Sequence, residues 1–292
     1  MKAFAKSDLP DRAKQALKLL QGMKSKADIH KVRPNAITYS TCIYAFALSN
    51  EMDRVEMAES LLQELIDKYQ EFKTEEMKPS RDTWSVLILT HAYSASENRV
   101  ERAMSIIKRI IDFGMNPVNS HYNIILLACS LDAKLIGNET EDVELDNNLD
   151  LFLNSQEDKL RSSLCQVVYK VMNAFDQEVY GISPDSVTFA NLLTCSSLFS
   201  DADEADRFII RTFDRCKEKG LVDDRFINLL RERVPRSLSL ENLLPGDDGK
   251  NFVIPPQWSK AVKSRKFIRR EERKSPKYDD GNRTDPSVDE YL

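Results

Sequence analysis

The stretch VRPNAITYSTCIYAF, residues 32–46, sets the pattern for most of this 292-residue chain. Within it, Pro34 is followed five residues later by the aromatic Tyr39. The same spacing from proline to aromatic returns in MKPSRDTWSVLILTHAY at residues 77–93, MNPVNSHYNIILLACS at 115–130 and ISPDSVTFANLLTCSS at 182–197. A motif that recurs in phase in this way is the signature of a repeat architecture.

Each copy predicts an amphipathic helix, which is named helix A. Large apolar residues follow the aromatic residue at three and four positions, and a small residue follows it at eight, so that all of them lie on one face of a helix. A second helix, named helix B, is predicted where an alanine precedes two large apolar residues at the same spacing. These alanines are Ala16, Ala58, Ala103 and Ala205. No strand pattern is present, and a single hairpin cannot bury its apolar face alone. The sequence therefore predicts an all-α fold, a solenoid of about four antiparallel helix pairs.

The composition predicts a repeat array followed by a different C-terminal part. The array is predicted over residues 1–235, with a disordered acidic insertion near residues 131–157. Residues 236–292 are predicted to form a linker and a basic, largely disordered tail, in which Phe252, Ile254 and Trp258 pack against the last hairpin. The first unit, residues 11–32, has a helix B with no helix A before it, which predicts that the chain is a fragment.

Charge and motif content argue against several functional classes. The net charge is −5, so any attraction to nucleic acid must come from a local basic face. The longest apolar runs are too short to span a bilayer. None of the histidines His30, His91 and His121 has a cysteine or carboxylate at the spacing of metal ligands, and no phosphate-binding loop or nucleophile motif is present. The sequence therefore predicts no enzyme activity, no cofactor, no metal, no small-molecule substrate and no membrane partner.

The four helix A segments resemble the opening of the pentatricopeptide repeat, whose usual form is Pro-Asp-x-x-Thr-Tyr-Asn-x-Leu-Ile. The runs AKQALKLLQGM and VERAMSIIKRI resemble its second helix. The resemblance extends from about Ala13 to Pro235. It implies that the solenoid is a right-handed superhelix. In that family each repeat presents one base of single-stranded RNA to two polar side chains, while an aliphatic residue packs against the base. The resemblance also implies a mitochondrial or chloroplast protein acting in RNA processing, stability or translation.

The resemblance implies two base-reading residues for each repeat. One directly follows the aromatic residue of helix A, and the other directly precedes the helix A of the next repeat. The aliphatic position lies two residues before the aromatic. The implied base-reading or packing residues are Ile37, Ser40, Ser80, Ser85, Asn123, Asp185, Val187 and Asp224. No repeat has a complete set. Ser40 and Ser80 are not a pair with a well-defined base choice, and Val118 cannot hydrogen-bond through its side chain. The aliphatic residue is replaced by Asp82 and Ser120, and a polar reader is replaced by Ala190.

Two alternatives stay open at this point. Ser40, Ser85 and Asn123 are equally explained as polar residues on helix surfaces, in which case the array is a protein–protein interaction scaffold without RNA binding. The basic tail is either a phosphate-contacting segment or a solvated tail. The residues predicted to contact phosphate are Lys263, Arg265, Lys266, Arg269 and Arg270.

Overall fold

The computed structural model describes residues 11–26, 33–94, 96, 98–138, 147–234, 240–247 and 252–262. Within these ranges every regular element is a helix and no strand occurs, which confirms the predicted all-α class. The chain forms two compact units that divide between Ala128 and Cys129. They are named unit 1 and unit 2. No helix in the described ranges has both the length and the apolar character needed to cross a bilayer.

Unit 1 contains hairpins whose helices A and B alternate along the chain. Helix A of the first hairpin packs on the preceding helix B, on its own helix B and on the next helix A. The helices are α1 (Arg12–Ser25), α2 (Ala36–Ala47), α3 (Arg54–Phe72), α4 (Arg81–Ala92), α5 (Arg99–Asp112) and the beginning of α6 (Asn119–Asn138), with a 3-10 turn at Glu75–Met77. Hairpins that are neighbours in sequence are therefore in contact within this unit.

Unit 2 repeats part of this arrangement. Its helix A packs on its own helix B and on one further helix, α10, which occupies the place of a following helix A. The elements are α7 (Asn147–Asp176), α8 (Ser186–Thr194), α9 (Ala202–Lys219), α10 (Asp224–Arg233), α11 (Leu240–Leu243) and α12 (Pro256–Ser259), with 3-10 turns at Val179–Gly181 and Cys195–Leu198.

The aromatic residue of each motif is the anchor of its helix A. Tyr39, Trp84, Tyr122 and Phe189 are all almost fully buried. The paired apolar residues three and four positions later are buried with them, as Cys42 and Ile43 are in α2. Burial of such side chains stabilises a fold by roughly 1.5–3 kcal/mol each, so the recurring motif accounts for much of the core.

An ion pair that recurs in phase links each helix B to the helix B before it. In each pair, one partner is the sixth residue after the alanine of the later helix B. Glu64 accepts from Lys24 Nζ at 2.6 Å, Arg109 donates to Glu59 at 2.8 Å, and Arg211 contacts Asp176 at 3.3 Å. The residue at this sixth position is a glutamate in the first pair and an arginine in the other two. The place of the ion pair therefore recurs along the chain, although the sign of the charge on the later helix changes.

Two helices border the acidic insertion that the sequence predicts near residues 131–157. Helix α6 continues to Asn138, and α7 begins at Asn147. Residues 139–146 lie outside the described residues.

The C-terminal segment packs on the last hairpin as predicted. The ring of Trp258 meets Phe213 of α9 edge-on at 5.5 Å between centroids, and Phe252 stacks beside Trp258. The amide of Val222 donates to the carbonyl of Trp258 at 2.8 Å. Residues 263–292, which include the predicted basic tail, lie outside the described residues.

Candidate nucleic-acid interface

The starts of three helices A are held by the same reciprocal cap. Asn35, Ser80 and Asp185 each stand directly after the motif proline and accept a hydrogen bond from the amide three residues on. The threonine at that third position in turn accepts a hydrogen bond from the cap amide, at 3.0 Å between Ser80 N and Thr83 Oγ1. Reciprocal capping satisfies two backbone amides that a helix start otherwise leaves without partners. The threonine of the motif is therefore a capping residue.

The helix A at the start of α6 uses a histidine for the same purpose. His121 Nδ1 accepts from the amide of Val118 at 3.2 Å, and Nε2 lies 3.1 Å from the carbonyl of Arg81. These partners require a neutral ring with its proton on Nε2. Burial lowers the pKa of His121 to about 4, although the hydrogen bond to the Arg81 carbonyl opposes the shift.

Two of the predicted base-reading side chains meet at a single hydroxyl. Ser40 Oγ lies 2.7 Å from Thr83 Oγ1, and Ser80 Oγ lies 3.1 Å from the same atom. Ser40 also donates to the carbonyl of Ala36 at 2.7 Å. The structure thus brings together the two polar residues that the resemblance assigns to the first repeat with both a helix A and a helix B.

The predicted packing residue of that repeat is open to solvent. Ile37 is 54% exposed, which is unusual for a large aliphatic side chain on a helix whose other face is buried. Arg33, just before α2, and Arg81, the first residue of α4, are also exposed. Neither guanidinium group forms an ion pair with a carboxylate of the described residues. The arrangement offers hydroxyl groups, an aliphatic surface and two cations near the starts of neighbouring helices, which suits bases and phosphates.

The predicted readers of the next two repeats are not accessible. Ser85 is 2% exposed and Asn123 is 3% exposed. Both lie on the helix A surface that neighbouring helices cover. A base cannot contact either side chain unless the packing around it changes.

In unit 2 the predicted residues do not form a comparable site. Asp185 is the cap of α8, and its carboxylate accepts from the amide of Thr188 at 2.8 Å. Val187 is half-buried in the first turn of α8. Asp224 is the first residue of α10, whereas Asp223 is its cap and accepts from the amide of Phe226 at 2.7 Å. The residue equivalent to Ser80 and Asp185 is therefore Asp223, and the assignment to Asp224 is one residue too late.

The equivalent of Ser80 and Asp185 was assigned to Asp224 instead of Asp223 for a simple reason. Two adjacent aspartates follow Val222, and no proline precedes them to mark the cap position. The residues predicted to contact phosphate, Lys263 to Arg270, lie outside the described residues.

Sequence reasoning missed a half-buried polar network that connects three helices of unit 1. Glu59 of α3 accepts from Arg109 of α5 at 2.8 Å and lies 2.7 Å from His91 Nε2 of α4. Burial raises the pKa of Glu59, but the hydrogen bonds from His91 and Arg109 outweigh it and lower the pKa to about 2. The sequence does contain a sign of this network, namely the charged residue at the sixth position after the alanine of the later helix B in each ion pair. That recurrence can be seen only when the helices B are aligned on their alanines.

Comparison with known proteins adds no relative. The chain matches no family model and no curated protein sequence. Among the described residues, no group of three or more His, Cys, Asp or Glu side chains is arranged to hold a metal ion. The candidate interface therefore depends on the geometry of unit 1 and on the resemblance of the helix A motif.

Proposed function

We propose that this protein is a pentatricopeptide-like array, stacked as a right-handed superhelix, that binds single-stranded RNA along the starts of its helices A in unit 1. The recurring motif, the repeated capping and the helix B ion pairs support the repeat assignment. An organellar role in RNA processing, stability or translation rests on the family resemblance alone.

The observation that carries the proposal is the meeting of Ser40 and Ser80 at Thr83. Hydroxyl groups from two consecutive helices A lie within hydrogen-bonding distance of one atom, beside the exposed Ile37. Two polar groups and an aliphatic surface can read the edge of one unstacked base and pack on its face. Because Ser85 and Asn123 are buried, base contact in unit 1 is confined to this first repeat.

Arg33 and Arg81 supply the phosphate contacts in this proposal. Each contact of a cation with a phosphate releases a condensed counterion and makes affinity dependent on salt, with a slope of about −0.7 per phosphate for single strands. The test is binding of the full chain to uridine-rich and random single-stranded RNA at two salt concentrations, followed by fluorescence anisotropy.

The double variant Arg33→Ala/Arg81→Ala is expected to weaken binding and to make the salt slope shallower by about 1.4. Its matched control is Arg102→Ala/Lys108→Ala, which removes the same charge from the exposed surface of α5. Ile37→Ala is expected to weaken binding without changing the salt slope, because it removes packing and no charge. An equal loss for both double variants would show that binding depends on charge anywhere on the surface, which contradicts the proposed site.

The alternative function is a protein–protein scaffold on the same helices. Burial of Ser85 and Asn123 favours it, since readers without access to a base have no role in RNA recognition. Absence of RNA binding at low salt would remove the RNA proposal and leave the scaffold.

A further inference from the structure

Unit 2 contains a cavity of about 140 Å³ between α7, α8 and α9. Apolar side chains, among them Met172, Phe175 and Phe189, form its floor. Charged side chains from the end of α7 and from α9 line its edge. A concave site with a mostly apolar lining and a few polar groups is the usual form of a binding site for a small molecule.

In unit 1 the equivalent space holds a phenyl ring. Phe113 is the tenth residue after Ala103, the alanine of its helix B. The centroid of its ring lies 5.9 Å from that of Tyr69, near the end of α3, and 5.6 Å from that of Trp84 in α4. The ring therefore fills the space between the preceding helix B and the aromatic residue of helix A.

Unit 2 keeps the two surrounding aromatic residues but lacks the ring between them. Phe175, near the end of α7, and Phe189 of α8 both line the cavity and correspond to the two aromatic neighbours of Phe113. The tenth residue after the helix B alanine is Arg215, which forms an ion pair with Asp176 at the edge of the cavity. The cavity therefore occupies the place that an aromatic ring has in unit 1.

The volume of the cavity also suits one aromatic ring. An engineered cavity of about 150 Å³ lined by aliphatic and aromatic side chains binds benzene. The floor of the unit 2 cavity, which includes Met172, Phe175, Phe189 and Leu192, has a lining of the same chemistry. A ligand with a phenyl-sized ring therefore matches this floor in both size and polarity.

The charged side chains at the edge select the sign of the ligand's polar group. Arg215 forms an ion pair with Asp176, and Lys219 Nζ lies 3.3 Å from a carboxylate oxygen of Glu178. Glu218 is exposed, and among the described residues it has neither an ion pair nor a hydrogen bond through its side chain. A cation on the ligand can therefore pair with Glu218 without breaking an existing contact.

We propose that the cavity between α7, α8 and α9 binds a small ligand that joins an aromatic ring to a protonated amine. The ring lies between Phe175 and Phe189, in the place that Phe113 has in unit 1, and the ammonium group lies beside Glu218. The site is independent of the RNA proposal, because it belongs to unit 2 and its test contains no RNA.

The test titrates the full chain with benzylamine, with its uncharged analogue benzyl alcohol and with the anion benzoate. Nuclear magnetic resonance of 13C-labelled methionine methyl groups follows the binding, and Met172→Leu assigns the Met172 signal. An aromatic ring beside a methyl group shifts its resonance, so benzylamine is expected to move the Met172 signal in a saturable manner. Benzyl alcohol should bind up to about fivefold more weakly, because it lacks the exposed ion pair, and benzoate should bind more weakly still.

Two pairs of variants locate the amine and the ring. Glu218→Gln should reduce the affinity for benzylamine to that for benzyl alcohol, whereas Asp203→Asn, which removes an exposed carboxylate from the first turn of the same helix, should leave it unchanged. Arg215→Phe and Phe189→Trp each place in unit 2 the larger aromatic residue that unit 1 has at the equivalent position. Both should abolish the saturable shift of the Met172 signal.

Three results would overturn the proposal. A Met172 signal that none of the three compounds moves would remove the site. A saturable shift that persists in both filled variants would mean that the ring binds elsewhere. Equal affinities for benzylamine, benzyl alcohol and benzoate would contradict the pairing of the amine with Glu218, and this comparison needs no variant to fold.

Discussion

Unit 1 and unit 2 share the Pro-to-aromatic motif, but the starts of their helices A carry opposite charges. In unit 1, Arg33 precedes α2 and Arg81 begins α4. In unit 2, Asp185 caps α8, Asp223 caps α10 and Asp224 begins α10. The motif specifies a capped helix with a buried aromatic, and both units satisfy it. The charge beside the cap is left free to vary, so phosphate attraction is expected in unit 1 only.

The two units also differ in how completely they enclose the motif aromatic. Trp84 is packed by Phe113, while Phe189 borders a cavity. The difference shows that a repeat tolerates changes in side-chain volume as long as the aromatic stays buried. The predictions below test these comparisons in order of expected effect.

Removing the motif aromatic is expected to cost more in unit 1 than in unit 2. Trp84→Ala should lower the free energy of unfolding by about 3–5 kcal/mol, because it deletes a large, fully buried side chain. Phe189→Ala should cost less, since its ring is smaller and already borders open space. Urea unfolding followed by circular dichroism measures both. Equal losses would contradict the difference in packing.

The histidine that replaces threonine at the start of α6 is expected to make unit 1 sensitive to acid. Burial lowers the pKa of His121 to about 4, so the unfolded chain takes up this proton first as the pH falls. The contribution of the neutral ring is complete above about pH 6.5 and is lost as the pH falls toward 4. Between pH 7 and pH 4.5, the unmodified chain should lose roughly 2–3 kcal/mol more stability than His121→Thr.

Urea unfolding at these two pH values provides the comparison. Titration of carboxylates acts on both proteins and cancels in the difference. Parallel losses in the two proteins would show that His121 does not carry the acid sensitivity.

The ion pair between helices B is expected to have a moderate effect in unit 1. Glu59→Gln should destabilise the chain by about 1–2 kcal/mol at pH 7, because Arg109 and His91 lose a charged acceptor. The pKa of Glu59 is lowered, so its contribution is complete above about pH 4.5 and is lost as the pH falls toward 2.

Glu56→Gln is the control, because Glu56 is an exposed carboxylate on the same helix. Thermal unfolding at pH 7 distinguishes the two variants. Similar melting temperatures for the two variants would mean that the network around Glu59 contributes no more than a surface charge.

The smallest expected effect tests the cap register in unit 2. Asp223→Ala should cost about 1 kcal/mol, because it removes the acceptor for the amide of Phe226. Asp224→Ala should cost only a few tenths of a kcal/mol, since an exposed carboxylate in the first turn interacts with the helix dipole alone. Urea unfolding of both variants measures the two losses of stability, and a larger loss for Asp224→Ala would show that Asp224, not Asp223, is the cap of α10.

Much of the fold was predictable from the spacing of apolar residues along the sequence. The distance from Pro34 to Tyr39 and its three repeats predicted where helices A lie, because an amphipathic helix has to place its apolar residues on one face. The packing of Trp258 on the last hairpin was predicted for the same reason, as an apolar residue in a polar segment. The candidate site was predicted less well. Residue spacing assigns a position in a helix, but it does not show what covers that position in the folded chain.

The sequence by itself determined the helical class, the alternation of helices A and B, and the anchoring aromatics, since all of these follow from local periodicity. Only the tertiary structure decided which polar residues remain accessible. Ser40 meets Ser80 because two helices A lie side by side, and Ser85 is buried by the same kind of contact. Accessibility depends on the neighbouring helices that pack over a residue, which a repeat motif does not encode.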